Sequence, residues 1–223
     1  MTIDIDTLYH LSIAVSLLLG CLLLYGWFIS PKVPALGWWG FGMLLIGVGF
    51  GLIAGRGTIN DALSIVVANT LILLGAGFVW TGTRVFDNRA PFLPALFAGP
   101  MIWAAACAVP SFYGSINARA TVVFALLGVY TFSGAVELWK GRALPLLTRW
   151  PTITLLGFHG LLFFVRLAFI LVQPLEEGQL PGRSSFWFVI LLYEVILYEI
   201  ALAFSFFAMA KERSGQRLVI PKG

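Results

Sequence analysis

Four ionisable side chains, His159, Arg166, Glu194 and Glu199, fall inside long apolar runs of this 223-residue chain. Charged groups at depth in a bilayer are costly and usually paired, so each marks a position to test for function. Arg166 lies 6 residues from Val172 and Glu194 lies 8 from Phe186, which puts both roughly 10 Å below the same surface. His159 and Glu199 are each 13 residues from those ends, a shared depth of roughly 20 Å. Asn69, 7 residues into the third run, is level with the upper pair. Arg166 and His159 are seven apart and share a helix face. The expectation is a two-layer polar cluster between the third, sixth and seventh runs. An Arg166–Glu194 ion pair would sit above a His159–Glu199 contact, with Tyr193 or Tyr198 nearby. Such a cluster reads as a ligand pocket or conformational switch, or as a buried ion pair that fixes helix register. His159, as a lone histidine, reads more readily as a hydrogen-bonded packing residue than as a pH switch.

Sharper chemistries fail on geometry. A retinal Schiff base needs a lysine inside the bundle, and Lys32, Lys140, Lys211 and Lys222 all lie outside the runs. Bis-histidine haem ligation needs both rings at one iron, but His10 is expected roughly 16 Å from His159 in depth. Too few His, Cys and carboxylate groups converge for a metal site. There is no HExxH, CxxC, P-loop or GxSxG motif. Neither catalysis, cofactor nor metal is expected.

The elements that would position the cluster follow from composition. The chain is 60% hydrophobic and 11% charged, against about half and a quarter in soluble domains. Seven apolar runs are expected to cross a bilayer: Leu8–Ile29, Leu36–Ala54, Ala62–Gly82, Pro91–Val109, Ala120–Leu138, Ile153–Val172 and Phe186–Ala210. They are too long and too uniformly apolar for barrel strands. The fold class is therefore all-α: a polytopic bundle of seven transmembrane helices, residues 1–210, with a short basic cytoplasmic tail, 211–223. The acidic start, MTIDIDTLYH, does not suit a secretory signal, so the first run reads as retained.

Basic residues set the orientation. Lys32, Arg84, Arg89, Lys140, Arg142, Arg149, Lys211, Arg213, Arg217 and Lys222 fall on one side, and Arg56, Arg119 and Arg183 on the other. The positive-inside rule places the N-terminus outside and the C-terminus in the cytoplasm. Trp27, Trp38, Trp39, Trp80, Trp139 and Trp150 fall near the cytoplasmic interface, as an aromatic belt would. Glu137, beside Lys140 and Arg142, is expected to snorkel there. The net charge of +4 describes membrane orientation, and no basic stripe calls for nucleic acid. Cys21 and Cys107 lie at different depths and are expected to stay unpaired. The outer connection 173–185, with Glu176, Glu177, Pro181 and Gly182, reads as a turn or a small lid. Gly47, Gly51 and Gly55 repeat every four residues, a small-residue stripe for packing within the bundle or, less readily, for a dimer face. No internal repeat is visible, which weakens a transporter reading.

Three segments carry a resemblance. RGTINDALSIVVANTLILLGAGFVWTGTRVFDNR (56–89), through Asn69, Gly75, Gly82 and the Arg84–Phe86 exit, resembles the third span of a seven-helix sensory domain found at the N-terminus of bacterial diguanylate cyclases. FHGLLFFVRL (158–167) resembles that group's sixth span, and YEVILYEIALAFSFFAMAKERSGQRL (193–218), with Glu194 and the Lys211–Arg213 exit, its seventh. The resemblance implies a bacterial inner-membrane input domain, usually dimeric, whose seventh helix drives a cytoplasmic output domain. The chain carries no GGDEF, EAL or kinase motif, so no catalytic residues carry over. The leading expectation is a non-enzymatic sensory domain that couples Asn69, His159, Arg166, Glu194, Tyr198 and Glu199 to the basic tail. The alternative is an accessory subunit of a larger membrane complex, and the third a small transporter. The expected partners are the lipid bilayer and either a second copy or other membrane subunits.

Overall fold

The computed structural model describes residues 5–175 and 186–219, with side chains over 7–175 and 189–215. Its elements are α1 (Ile5–Ile29), α2 (Ala35–Ala54), a π-helical segment (Ala62–Val67) running directly into α3 (Ala68–Phe86), α4 (Leu93–Cys107), α5 (Pro110–Gly114), α6 (Ile116–Lys140), α7 (Arg149–Val172) and α8 (Phe186–Val219). Among the described residues six helical spans, all but α4 and α5, are long and apolar enough to cross a bilayer. The chain is thus a multi-pass α-helical membrane protein.

The seventh expected span is shorter than the sequence implied. At 15 residues, α4 measures about 22 Å, against a hydrocarbon core of roughly 30 Å. Proline sets both its end and its irregularity. Pro110 forces Val109 into an extended conformation (ψ 116°) and stops the helix. Pro100, inside α4, lacks the N–H that would bond the Leu96 carbonyl. The Tyr130 hydroxyl of α6 takes over: it lies 3.0 Å from Leu96 O and 2.7 Å from Ala95 O, and accepts from Gly99 N–H at 2.9 Å.

The six long helices close a ring. α1 packs on α2, α2 on α3, α3 on α6, α6 on α7, α7 on α8, and α8 back on α1, while α4 lies against α3 and α6 outside the ring. The ring is tightest between α2 and α3. A Cβ on Gly75 would lie 2.6 Å from the Gly42 carbonyl oxygen, and one on Gly42 would lie 2.8 Å from the Gly75 oxygen. Glycine is required at both positions for the backbones to approach so closely. The expected stripe behaves otherwise. Gly47 packs on Leu17 and Ser16 of α1, Gly55 ends α2 beside Ile59, and Gly51 faces open space.

The core lies toward the end that gathers most of the basic residues, called here the basic end. Trp39 of α2 stacks on Phe206 of α8 with centroids 3.8 Å apart and touches Phe86 at the end of α3. Trp39 is fully buried and Trp80 nearly so, hence neither belongs to a lipid-facing belt, whereas Trp27, Trp139 and Trp150 are exposed. Cys21 and Cys107 are free thiols. Glu176, Glu177, Pro181, Gly182, Arg183 and Lys222 lie outside the described residues, as does the side chain of Arg217.

Gly75→Val is expected to force α2 and α3 apart and cost about 1–3 kcal/mol. Gly51→Ala should be neutral or raise stability by up to about 1 kcal/mol, because helical glycine is entropically costly. Thermal unfolding in mild detergent checks both, and equal effects at the two sites would refute this account of the α2–α3 contact.

Candidate functional site

The π segment is the first local feature that shapes the site. Side chains donate to the carbonyls at its end: Asn69 Nδ2 to Ile65 O at 2.8 Å, and Thr70 Oγ1 and Trp103 Nε1 to Val66 O at 2.7 and 3.1 Å. Single-turn π segments of this kind concentrate at functional positions. Asn69 is thereby held on the inner wall of the ring.

That wall encloses a central cavity of about 170 Å³ among α2, α3, α6, α7 and α8. Its lining is mostly Ile, Leu, Val and Phe with Tyr9, Trp80, Tyr130 and Thr131, and it is interrupted by five further polar or charged residues, Asn69, His159, Arg166, Tyr198 and Glu199. All five are positions singled out in the sequence, and the fold brings them to one space. A predominantly apolar cavity with a few convergent polar groups is the usual form of a small-molecule site.

The polar groups are organised by Glu194. Its Oε2 accepts from Arg166 Nη2 at 2.6 Å, as expected from depth. Its Oε1 lies 2.7 Å from His159 Nδ1. The expected His159–Glu199 contact is therefore replaced by a single carboxylate that bridges both residues of α7. Helix rotation explains the change. Glu199 is five residues beyond Glu194, so it points about 140° away around α8. It faces α1 instead, where it is 3% exposed and lies 2.6 Å from Ser16 Oγ. That hydroxyl also lies 2.8 Å from Ser12 O, so its one proton is shared between two acceptors.

Tyr198, four residues after Glu194, stays on the α7-facing side. It stacks on the His159 ring at 3.6 Å, with Phe163 edge-on at 4.7 Å. Arg166 lies over Phe163 at 5.2 Å. Its second terminal nitrogen, Nη1, is buried with no hydrogen-bond partner among the described residues. Tyr193 is exposed and takes no part. α3 does not touch α7, so Asn69 faces the triad across the cavity and does not join it.

A second polar centre, at the basic end, was missed. Glu137 was expected to snorkel, but it is 5% exposed. It binds Arg84 at 3.0 Å and Lys140 at 3.2 Å, and also Arg89. Beside it Asp87 receives both terminal nitrogens of Arg149 at 2.8 Å, and Arg149 is 1% exposed. The turn that aims Asp87 and Arg89 inward is a Schellman stop. Asn88 takes φ 58°, Arg89 N–H bonds Arg84 O, and Asn88 N–H bonds Val85 O. The signal was legible as the run Arg84, Asp87, Asn88, Arg89, with the left-handed-tolerant asparagine between charges.

α8 reaches this centre as well. Glu212 accepts from the Leu147 and Thr148 N–H groups at 2.8 and 3.0 Å and from Thr148 Oγ1 at 2.5 Å, which caps the turn into α7. Arg213 lies over the Phe86 ring at 4.7 Å. The helix thus continues past the expected end at Ala210 and stays docked.

At the opposite end two further arginines meet. Arg56 donates through Nη2 to Ser64 O at 2.7 Å, and its buried Nε has no hydrogen-bond partner among the described residues. Arg119 donates to Tyr113 O. Burial first, and the Arg119 charge next, pull the Arg56 guanidinium below its ordinary pKa, against the favourable fields of Tyr9, Asp61 and Tyr113.

No known protein-family model, curated protein or solved structure matches the chain. The likeness to diguanylate-cyclase sensory domains therefore rests on the three sequence segments alone.

Removing Glu194 strands both Arg166 and His159. Glu194→Ala is expected to cost about 3–5 kcal/mol, and the Arg166→Met/Glu194→Leu double variant should recover part of it. Glu199→Gln keeps a partner for Ser16 and should stay within about 1 kcal/mol of the parent. Melting temperatures of the purified variants decide, and a Glu199→Gln loss as large as that of Glu194→Ala would assign Glu199 a charge-dependent role.

Proposed function

We propose that the chain is a non-enzymatic membrane signalling domain in which the state of the central cavity is passed along α8 to the basic end. In this reading the basic end faces the cytoplasm of a bacterial inner membrane, following the distribution of Lys and Arg. The observation that carries it is the continuity of one helix. α8 bears Glu194, Tyr198 and Glu199 at the cavity, and Glu212 and Arg213 at the far contacts with the α6–α7 turn and Phe86. Glu194 and Glu212 are 18 residues apart, about 27 Å along a rigid rod.

The chemistry supplies a differential contact. Arg166 holds Glu194 with one terminal nitrogen and, among the described residues, leaves the other without a hydrogen-bond partner. An acceptor entering the cavity competes for the guanidinium and loosens the carboxylate's hold on α7. Glu194 then keeps only His159, and the α7–α8 contact resets. A ligand shifts a conformational equilibrium only by the difference in its affinity for the two states, and this competition provides one. The sensory-domain resemblance points the same way, since there too the last helix transmits the signal.

The test is a spin-label distance between Lys32→Cys and Lys211→Cys at the basic end, with Cys21 and Cys107 replaced by serine, in lipid nanodiscs. Glu194→Gln is expected to move the α8 label on the order of 1–2 Å, the usual size of a helix shift. Tyr198→Leu, which removes the stack on His159, should do the same and serves if the first variant fails to fold. Superimposable distance distributions in folded variants would overturn transmission through α8.

A further inference from the structure

The end of the bundle away from the basic cluster holds a second cavity, of about 130 Å³. Tyr9, Ile53, Asn69, Val123 and Phe124 line both this cavity and the central one, so the two share a wall. Arg56 and Arg119 line only the outer space. Among the described residues neither arginine forms an ion pair with a carboxylate. This contrasts with the basic end, where Arg84, Arg89 and Arg149 are all matched by Glu137 or Asp87. Two guanidiniums at one mouth repel each other and are best satisfied by an anion that accepts from both. Behind them the space turns almost wholly apolar, with Ile46, Phe50, Ile72 and Leu127 in its lining.

We infer that the two adjacent cavities together bind a single-chain anionic amphiphile that passes between the side chains of their shared wall, with its carboxylate or phosphate head between Arg56 and Arg119 and its alkyl chain in the central cavity. The inference deepens the signalling reading by naming the class of ligand for its cavity. Size limits the chain. An apolar cavity of about 150 Å³ accepts benzene. Spaces of about 170 and 130 Å³ together accept roughly a dozen non-hydrogen atoms by the same measure. Decanoate has that size, and a two-chain phospholipid does not fit. The alkyl chain carries no acceptor for Arg166; it would reach the wall formed by Arg166, His159 and Tyr198 and act on the Glu194 bridge by displacing the Tyr198 ring from His159, a route distinct from competition for the guanidinium.

The experiment measures radiolabelled decanoate bound by the full chain in phosphatidylcholine nanodiscs, with binding to empty nanodiscs subtracted. Saturable, stoichiometric binding is expected. Decanol, which has the same chain without the charge, should bind at least about tenfold more weakly. Arg56→Gln and Arg119→Gln should each weaken decanoate at least about tenfold, and Arg56→Lys less, since it keeps the charge. If a glutamine variant fails to fold, the decanoate-to-decanol ratio on the parent chain and the lysine variant still decide. Decyl phosphate in place of decanoate identifies the preferred head, and tighter binding of either supports the inference. No saturable binding of either anion, or decanol binding equal to decanoate, overturns it. The Lys32–Lys211 label distance in the same nanodiscs separates the two readings. Decanoate bound with α8 unmoved overturns transmission and leaves the ligand class standing. A distance that shifts in Glu194→Gln while no anionic amphiphile binds overturns the ligand class alone.

Discussion

Inside a hydrocarbon layer no water competes for polar groups, so each must be satisfied by the protein. That constraint accounts for the main irregularities of this bundle. Pro100 leaves the Leu96 carbonyl without a donor, and the Tyr130 hydroxyl supplies one. At the end of the π segment Asn69, Thr70 and Trp103 donate to the Ile65 and Val66 carbonyls. Glu194 draws Arg166 and His159 of α7 to one carboxylate. In each case a side chain on one element repairs or balances another, and the repair fixes how the two elements face each other. Helix association in lipid has little hydrophobic drive, so these polar contacts and the glycine approach of α2 to α3 carry much of the specificity of the ring.

α8 runs between the two polar centres. At the basic end the charges close on themselves: Asp87 and Glu137 are matched by Arg149, Arg84, Arg89 and Lys140, and Glu212 finishes the turn into α7. Removing Asp87 would strand the buried Arg149 charge. Among the described residues Arg166 Nη1, Arg56 Nε and Arg149 Nε are buried without hydrogen-bond partners, so unmatched donors occur at both ends of the bundle.

Much of this was legible in the sequence, and the failures are instructive. Span positions, the free cysteines, the Arg166–Glu194 pair and the shared setting of Asn69, His159, Tyr198 and Glu199 follow from hydropathy and from depth. Depth, however, is one coordinate. It cannot give rotation about the helix axis, which is why Glu199 was paired with His159 when it faces Ser16 of α1. It cannot give neighbour order either, so α3 was placed against α7 when α6 lies between them. The fourth span was read by apolar length alone, although Pro100 and Pro110 already marked where the helix would be repaired and stopped.

Glu137 shows the deeper limit. A lone acidic residue near an interface reads as solvent-seeking, because its partners are distant in sequence: Arg84 and Arg89 lie 53 and 48 residues before it. What brings them together is the Schellman stop after α3, a local feature signalled by Asn88 between the charged residues Asp87 and Arg89. A backbone turn therefore decides whether a carboxylate is solvated or buried, and so whether the basic end is a set of separate loops or a single anchor. The proposed transmission depends on that difference. A displacement of α8 has meaning at the basic end only if Glu212 and Arg213 meet something that does not move with them, and the Asp87–Arg149 and Glu137 contacts supply that fixed reference.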